Sequence, residues 1–261
     1  MEKIKLFIFD LDGVIYRETQ PLPGAREIVQ KLRERGKRVV FLTNNSTKTR
    51  YQYKRKLSNI GIKADVEEIF TSAWGTALFL KQEGAKKALV IGEQGLKKEL
   101  KRMGIEITSL PERDVDYVVV GLDRHLTYRK LCNAFEAVRN GAKFLATNMD
   151  YTFPIEDKIV PGGGAIVASL RWALRMEPIL IGKPSPFLLE LIMNRYGVGK
   201  NETVIVGDRL DTDIEMGKRA GIKTILVLTG VTSQEELEDS PIKPDEVVHS
   251  LDELECIEWL M

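Results

Sequence analysis

The chain has 261 residues, 43% apolar and 30% charged, with a formal net charge of +1. That length suits one large domain or two smaller ones, and the apolar share supplies a sizeable core without staples. Near-balanced charge argues against a nucleic-acid or acidic-membrane partner, and no apolar run approaches the roughly 20 residues that span a bilayer.

The first predicted strand, residues 5–9, is apolar without polar alternation and runs into Asp10-Leu11-Asp12-Gly13. A strand pattern under way by Ile4 predicts no signal peptide. Residues two apart in a strand share a face, so Asp10 and Asp12 set two carboxylates on one side, where a buried strand stops and a glycine turn begins. Acids held together repel, and burial worsens it; a cation or a shared proton relieves them. The plainer reading is a helix N-cap or an Asx turn. An amphipathic helix is predicted over 25–35 and a strand over 38–42, which ends in Thr43-Asn44-Asn45-Ser46. A hydroxyl, several backbone N–H groups and a helix start make an anion site there, or an ordinary capping run.

Strands over 88–91, 117–120 and 143–146 follow, then one over 178–181 that leads to Gly182-Lys183-Pro184. Pro184 is expected to hold Lys183 extended, aiming its ammonium outward from the strand end; a surface lysine is the plainer reading. A helix is predicted over 187–196, and the strand 203–206 opens into Gly207-Asp208-Arg209-Leu210-Asp211-Thr212-Asp213. A run of acids after a buried strand suggests a cation, with helix capping by Asp211 or Asp213 as the alternative. Strands over 224–228 and 246–248 close the order.

Short apolar strands alternating with amphipathic helices define an α/β protein with parallel sheets. The chemistry-bearing strand ends cluster unevenly, which favours two sheets over one. Residues 1–76 plus 177–261 are expected to form one domain, with 77–176 inserted as a second. Pro161-Gly162-Gly163-Gly164 lacks the Lys-Ser/Thr of a phosphate loop and the spacing of a dinucleotide fingerprint, so it reads as a tight turn for close packing between the domains. His125 and His249 read as surface residues and Trp74, Trp172 and Trp259 as packing residues. Cys132 and Cys256 stand far apart, as free thiols of a reducing, cytoplasmic setting would.

Ligands of open α/β sheets sit beyond the carboxyl ends of the strands. The order of segments 9–14, 43–45, 182–184 and 207–214 resembles the haloacid dehalogenase-like superfamily. The branch it looks like holds the p-nitrophenyl phosphatase, phosphoglycolate phosphatase, pyridoxal phosphatase and NagD-type enzymes. Residues 146–150 and 161–164 resemble the cap domain of that branch.

The resemblance implies a Rossmann-like parallel-sheet core with an inserted α/β cap that closes over the site. It also implies a Mg²⁺-dependent phosphomonoesterase acting on small phosphorylated metabolites. In that pattern Asp10 is the nucleophile and forms an aspartyl-phosphate. Asp12 protonates the leaving oxygen and then deprotonates water, which requires a raised pKa. Thr43, Asn44, Asn45 and Lys183 hold phosphoryl oxygens. Asp10, Asp208 and the main-chain carbonyl of Asp12 ligate Mg²⁺, and Asp213 supports Lys183 or a water. Asn148 and Asp150 approach the substrate or form an Asx-type turn, and Arg209 is a structural ion-pair partner. Broad activity over several phosphate esters and a homodimer through the cap are further expectations. A phosphomutase or phosphotransferase on the same core, a receiver-type signalling module and a phosphate-metabolite-binding regulator are the competing readings.

Overall fold

The computed structural model describes residues 4–155, 158–257 and 259–260. It divides into two compact units, Met1–Thr43, Tyr53–Phe70 and Lys183–Met261 in the first, and Asn44–Gln52 and Thr71–Gly182 in the second.

The first unit is built on a six-stranded sheet. In spatial order its strands are Glu246–Val248, Lys223–Val227, Thr203–Gly207, Leu6–Asp10, Arg38–Thr43 and Ile69–Thr71. The Leu6–Asp10 strand is parallel to both neighbours, with Leu6 opposite Arg38 on one side and Thr203 on the other. Its residues Leu6, Phe7, Ile8 and Phe9 are fully buried, which explains the unbroken apolar run: a parallel strand covered on both faces has no wet side. The helix Ala25–Glu34 covers one face by burying Ala25, Ile28, Val29 and Leu32, a stripe at the three-four spacing of an amphipathic helix. The first strand is the point from which the chain winds out in both directions, where an open sheet leaves a crevice at its carboxyl edge.

At the far edge, Asp245 clasps the last two strands together. Its carboxylate accepts hydrogen bonds from Lys218 Nζ at 2.8 Å, Lys223 Nζ at 3.1 Å, and the Thr224 N–H and hydroxyl at 3.0 and 2.7 Å. Burial pushes this carboxyl up, but the donors of Lys218, Thr224 and Lys223 outweigh it and hold it well below the usual carboxylate range.

The second unit holds a five-stranded sheet, ordered Ile179–Leu180, Lys143–Ala146, Tyr117–Val120, Lys87–Ile91 and Glu106–Thr108. All its pairings are parallel. The helices Gln94–Arg102, Tyr128–Arg139 and Gly163–Leu174 lie between its strands in sequence, and an antiparallel hairpin joins Thr152–Ile155 to Lys158–Pro161.

Two parallel sheets in an α/β architecture match the sequence expectation. The expected boundaries divide elements that the structure keeps whole. A limit at 76 would cut the helix Ser72–Gln82. A limit at 177 would assign Ile179–Leu180 to the first sheet, whereas this strand pairs with Lys143–Ala146 of the second. Strand periodicity says which residues are extended but not which sheet receives them. The sequence reading also omits Ile69–Thr71 and Glu106–Thr108, three-residue edge strands too short to show a period.

Trp172 is a further correction: it is 87% exposed on the helix Gly163–Leu174 rather than packed, whereas Trp74 is buried and Trp259 packs on the first core. The glycines 162–164 serve a close approach within their own unit. A Cβ at Gly162 or Gly164 would collide with the Asp150 or Met149 carbonyl of the same unit, so they let the helix start lie on that loop.

Replacing Asp245 with Asn is expected to lower the unfolding free energy by about 1–3 kcal/mol at pH 7. The folded carboxyl titrates below its unfolded value, so its contribution is present above about pH 4 and fades as pH falls further. Urea titrations of both proteins at pH 7 and at about pH 3 check that the gap narrows in acid.

Candidate active site

Three strands of the first sheet end level with one another. Asp10 closes the first strand, opposite Leu42, and Thr43 closes the next. Asp208 follows Gly207, the last residue of the strand on the other side. Lys183 meets them by a different route. The short strand before it, Ile179–Leu180, belongs to the second sheet, and the Lys183–Pro184 peptide is cis. Its ammonium does not point outward as the sequence suggested. It is buried, donating to Asp10 Oδ1 at 2.5 Å and to Asp213 Oδ1 at 2.7 Å. Two buried carboxylates are a stronger attraction for this ammonium than solvent, provided the geometry satisfies them.

Asp10, Asp208 and Asp213 are all buried, and each offers a carboxylate oxygen within 4.8 Å of the others. Burial pushes the Asp10 carboxyl well up; Lys183 opposes this and the charges of Asp213 and Asp208 add to it. Asp208 is pushed up to about 7 by burial and by Asp213, against the Val231 N–H and the more distant Lys183 and Arg209. Burial alone would lower Lys183, but Asp10 and Asp213 more than reverse this, so it stays a cation. Three acids therefore share one lysine. Asp208 Oδ2 accepts the Val231 N–H at 2.8 Å, while Asp208 Oδ1 is buried with no hydrogen-bond partner. Buried polar atoms are almost always paired. A bare carboxylate oxygen beside a surplus of negative charge fits a hard divalent cation that takes oxygen ligands.

The pairing of Asp10 with Asp12 needs correction. The strand stops at Asp10, so alternation along it no longer places Asp12, and the acids that press on Asp10 are Asp213 and Asp208. The Asp12 carboxylate lies outside the three-acid cluster. The Asp12 backbone forms an isolated β-bridge with Tyr16; the Tyr16 hydroxyl approaches Asp12 Oδ2 at 3.5 Å, and Lys56 Nζ stands 3.7 Å from Asp12 Oδ1. Lys56 also lies over the Tyr16 ring, 3.3 Å from its centroid. Asp12 is half-buried, which leaves it reachable from solvent.

Thr43 is buried at the sheet edge. Asn44 and Asn45 fall in the second unit. The Asn44 amide donates to Asp150 Oδ1 at 2.7 Å and its carbonyl accepts from Ser72 Oγ at 2.5 Å. Asn148 Nδ2 donates to the other Asp150 oxygen at 2.7 Å. Asn45 Oδ1 accepts from both Thr47 N and Thr47 Oγ1, the Asx turn of a capping run. Arg209 pairs with Asp211 through two hydrogen bonds, the structural role expected of it.

Sequence reasoning passes over two groups beside these residues. One is Tyr16 and Lys56 around Asp12. The other is Thr229–Val231, the loop that follows Lys223–Val227 and supplies the donor to Asp208. Treating that strand end like the other four would have found the loop; the Lys56 position on a helix face carries no such signal.

The site is thus a buried lysine among carboxylates at the carboxyl edge of a parallel α/β core. The family profile described as haloacid dehalogenase-like hydrolase matches residues 7–106, and the profile described as HAD-hydrolase-like matches residues 180–254. The 4-nitrophenylphosphatase of Schizosaccharomyces pombe is 36% identical over 97% of this chain and 94% of its own. The crystal structure of the 4-nitrophenylphosphatase from Thermotoga maritima is 40% identical, with a TM-score of 0.91 over 97% of each chain. The glycerol phosphate phosphatase from Mycobacterium tuberculosis, solved in complex with magnesium, is 33% identical with a TM-score of 0.87, over 95% of this chain and 75% of that one. The chain belongs to the haloacid dehalogenase-like hydrolases, as a phosphatase of their NagD and p-nitrophenyl phosphatase branch.

Lys183→Met is expected to lower the unfolding free energy of the metal-free protein by about 3–5 kcal/mol, because it leaves buried acids uncompensated. Urea unfolding in the presence of a chelator measures this.

Proposed function

We propose that the protein is a Mg²⁺-dependent phosphomonoesterase that hydrolyses small phosphorylated metabolites through an aspartyl-phosphate on Asp10. The observation that carries this reading is the buried trio of Asp10, Lys183 and Asp208. One carboxylate is fixed by an ammonium at 2.5 Å, and the other keeps an oxygen without a protein partner.

Asp10 Oδ2 is the oxygen not taken by Lys183 in the 2.5 Å contact. It attacks phosphorus, the bond from phosphorus to the ester oxygen breaks, and Asp12 gives its proton to the departing oxygen. Asp12 then takes a proton from water as that water attacks the phosphoryl group, which returns Asp10 and releases inorganic phosphate. The Tyr16 hydroxyl and Lys56 flank the Asp12 carboxylate, apart from the buried acids. Lys183 and Thr43, with the peptide group that follows Thr43, supply donors to the phosphoryl oxygens. Asp213 keeps Lys183 in place. Asp10 and Asp208, with the Asp12 carbonyl, would hold Mg²⁺, which when bound offsets the repulsion between a carboxylate and a phosphate dianion.

Names of relatives that differ in the ester cleaved support broad specificity over one dedicated substrate. The net charge of +1 supports a metabolite over a nucleic acid as partner. Cys132 and Cys256 are both free and exposed, which supports the cytoplasm. Among the described residues no helix is long and apolar enough to cross a membrane.

Asp10→Asn is expected to lower kcat on p-nitrophenyl phosphate by about 10³-fold or more with the circular dichroism spectrum unchanged. Chelation should abolish turnover of the native protein and added Mg²⁺ restore it. Near-native rates from the variant, or from the chelated protein, would overturn the reading. Transfer of phosphate to a bisphosphate acceptor without release would favour a phosphomutase.

A further inference from the structure

The carboxylate of Asp208 is enclosed by backbone rather than by side chains. A Cβ placed on Gly230 would lie 1.9 Å from Asp208 Oδ2 and 2.4 Å from its Cβ and Cγ. One placed on Gly13 would lie 2.4 Å from the same oxygen and 3.1 Å from the Gly230 Cα. Gly13 also has φ of +88°, which a side chain resists. Two bare stretches of chain thus close on one carboxylate.

The two stretches are also tied together. The Thr229 hydroxyl donates to the Gly13 carbonyl at 2.7 Å, and Arg17 donates to the Thr229 carbonyl at 2.7 Å. The loop grips Asp208 at two points, Val231 N–H to Oδ2 at 2.8 Å and Thr232 N–H to the main-chain carbonyl at 3.2 Å. The Val231 N–H takes Oδ2 of the carboxylate, and Oδ1 is left without a hydrogen-bond partner. A ligand oxygen is most useful to a cation when its partner oxygen is hydrogen-bonded, because this fixes rotation about the Cβ–Cγ bond.

We propose that Gly230 is a positioning residue for cation binding, its bare backbone letting the Thr229–Val231 loop lock Asp208 with Oδ1 presented to Mg²⁺. This rests on the metal-dependent reading above. A methyl group at 230 forces the loop or the carboxylate to move, so the loss should fall on the affinity for Mg²⁺ and not on the chemistry of Asp10 and Asp12.

The test is Mg²⁺ titration by calorimetry of the native protein, Gly230→Ala, Thr229→Val and Asp208→Asn, each with its metal-free unfolding midpoint. Gly230→Ala should weaken Mg²⁺ binding by about 10-fold or more. Its kcat on p-nitrophenyl phosphate should return to within about threefold of native once Mg²⁺ saturates, the signature of lost affinity alone. Thr229→Val, which removes only the tie to Gly13, should weaken binding in the same direction by a smaller factor. Native Mg²⁺ affinity in a folded Gly230→Ala protein would overturn the inference. If that variant does not fold, unchanged affinity in Thr229→Val overturns it instead. Asp208→Asn separates the two claims: should it bind Mg²⁺ as the native protein does, the metal site itself is misplaced. Should it alone lose binding, only the loop's role falls.

Discussion

The ammonium of Lys183, buried between Asp10 and Asp213, is the contact on which the site depends. Burying three carboxylates together carries a desolvation cost that no amount of apolar packing recovers. One lysine offsets part of it, and the remainder sets the electrical character of the pocket. The residual negative charge opposes the approach of any further anion. One backbone N–H takes Oδ2 of Asp208, and Oδ1 has no hydrogen-bond partner. That charge imbalance is held in place by the ladder of parallel strands on either side.

The sheets were legible because both faces of a parallel strand are covered, which writes an unbroken apolar run into the sequence. Asp10, Thr43 and Asp208 were legible because such a run has an end, and the ends of neighbouring strands fall at one edge. What the sequence hid was lateral. Nothing in residues 178–181 says whether that strand joins one sheet or the other, so the path of Lys183 into the acids could not be read. Local pattern also misplaced Asp12, because the strand whose alternation would align it with Asp10 ends two residues before it. Trp172 looked like core because its neighbours in sequence are apolar; exposure is a property of the helix face and of what lies against it.

Asp12 and Asp208 illustrate two ways of managing an acid. Asp12 is half-buried, with its two oxygens near a phenol and an ammonium from different elements. It keeps access to solvent. Asp208 is sealed by peptide backbone and has no such access. The difference follows from which residues the turn after each strand supplies.

The register that sets Leu6 beside Thr203 also has a consequence for biogenesis. A ribosome would deliver the opening strand long before its partner on that side exists, and closing so wide a loop is slow. The smaller parallel sheet, whose strands all lie between the two halves of the larger one, can form meanwhile from nearby segments. The acids would then meet their lysine only in the closing stage of folding, after most of the polypeptide has emerged.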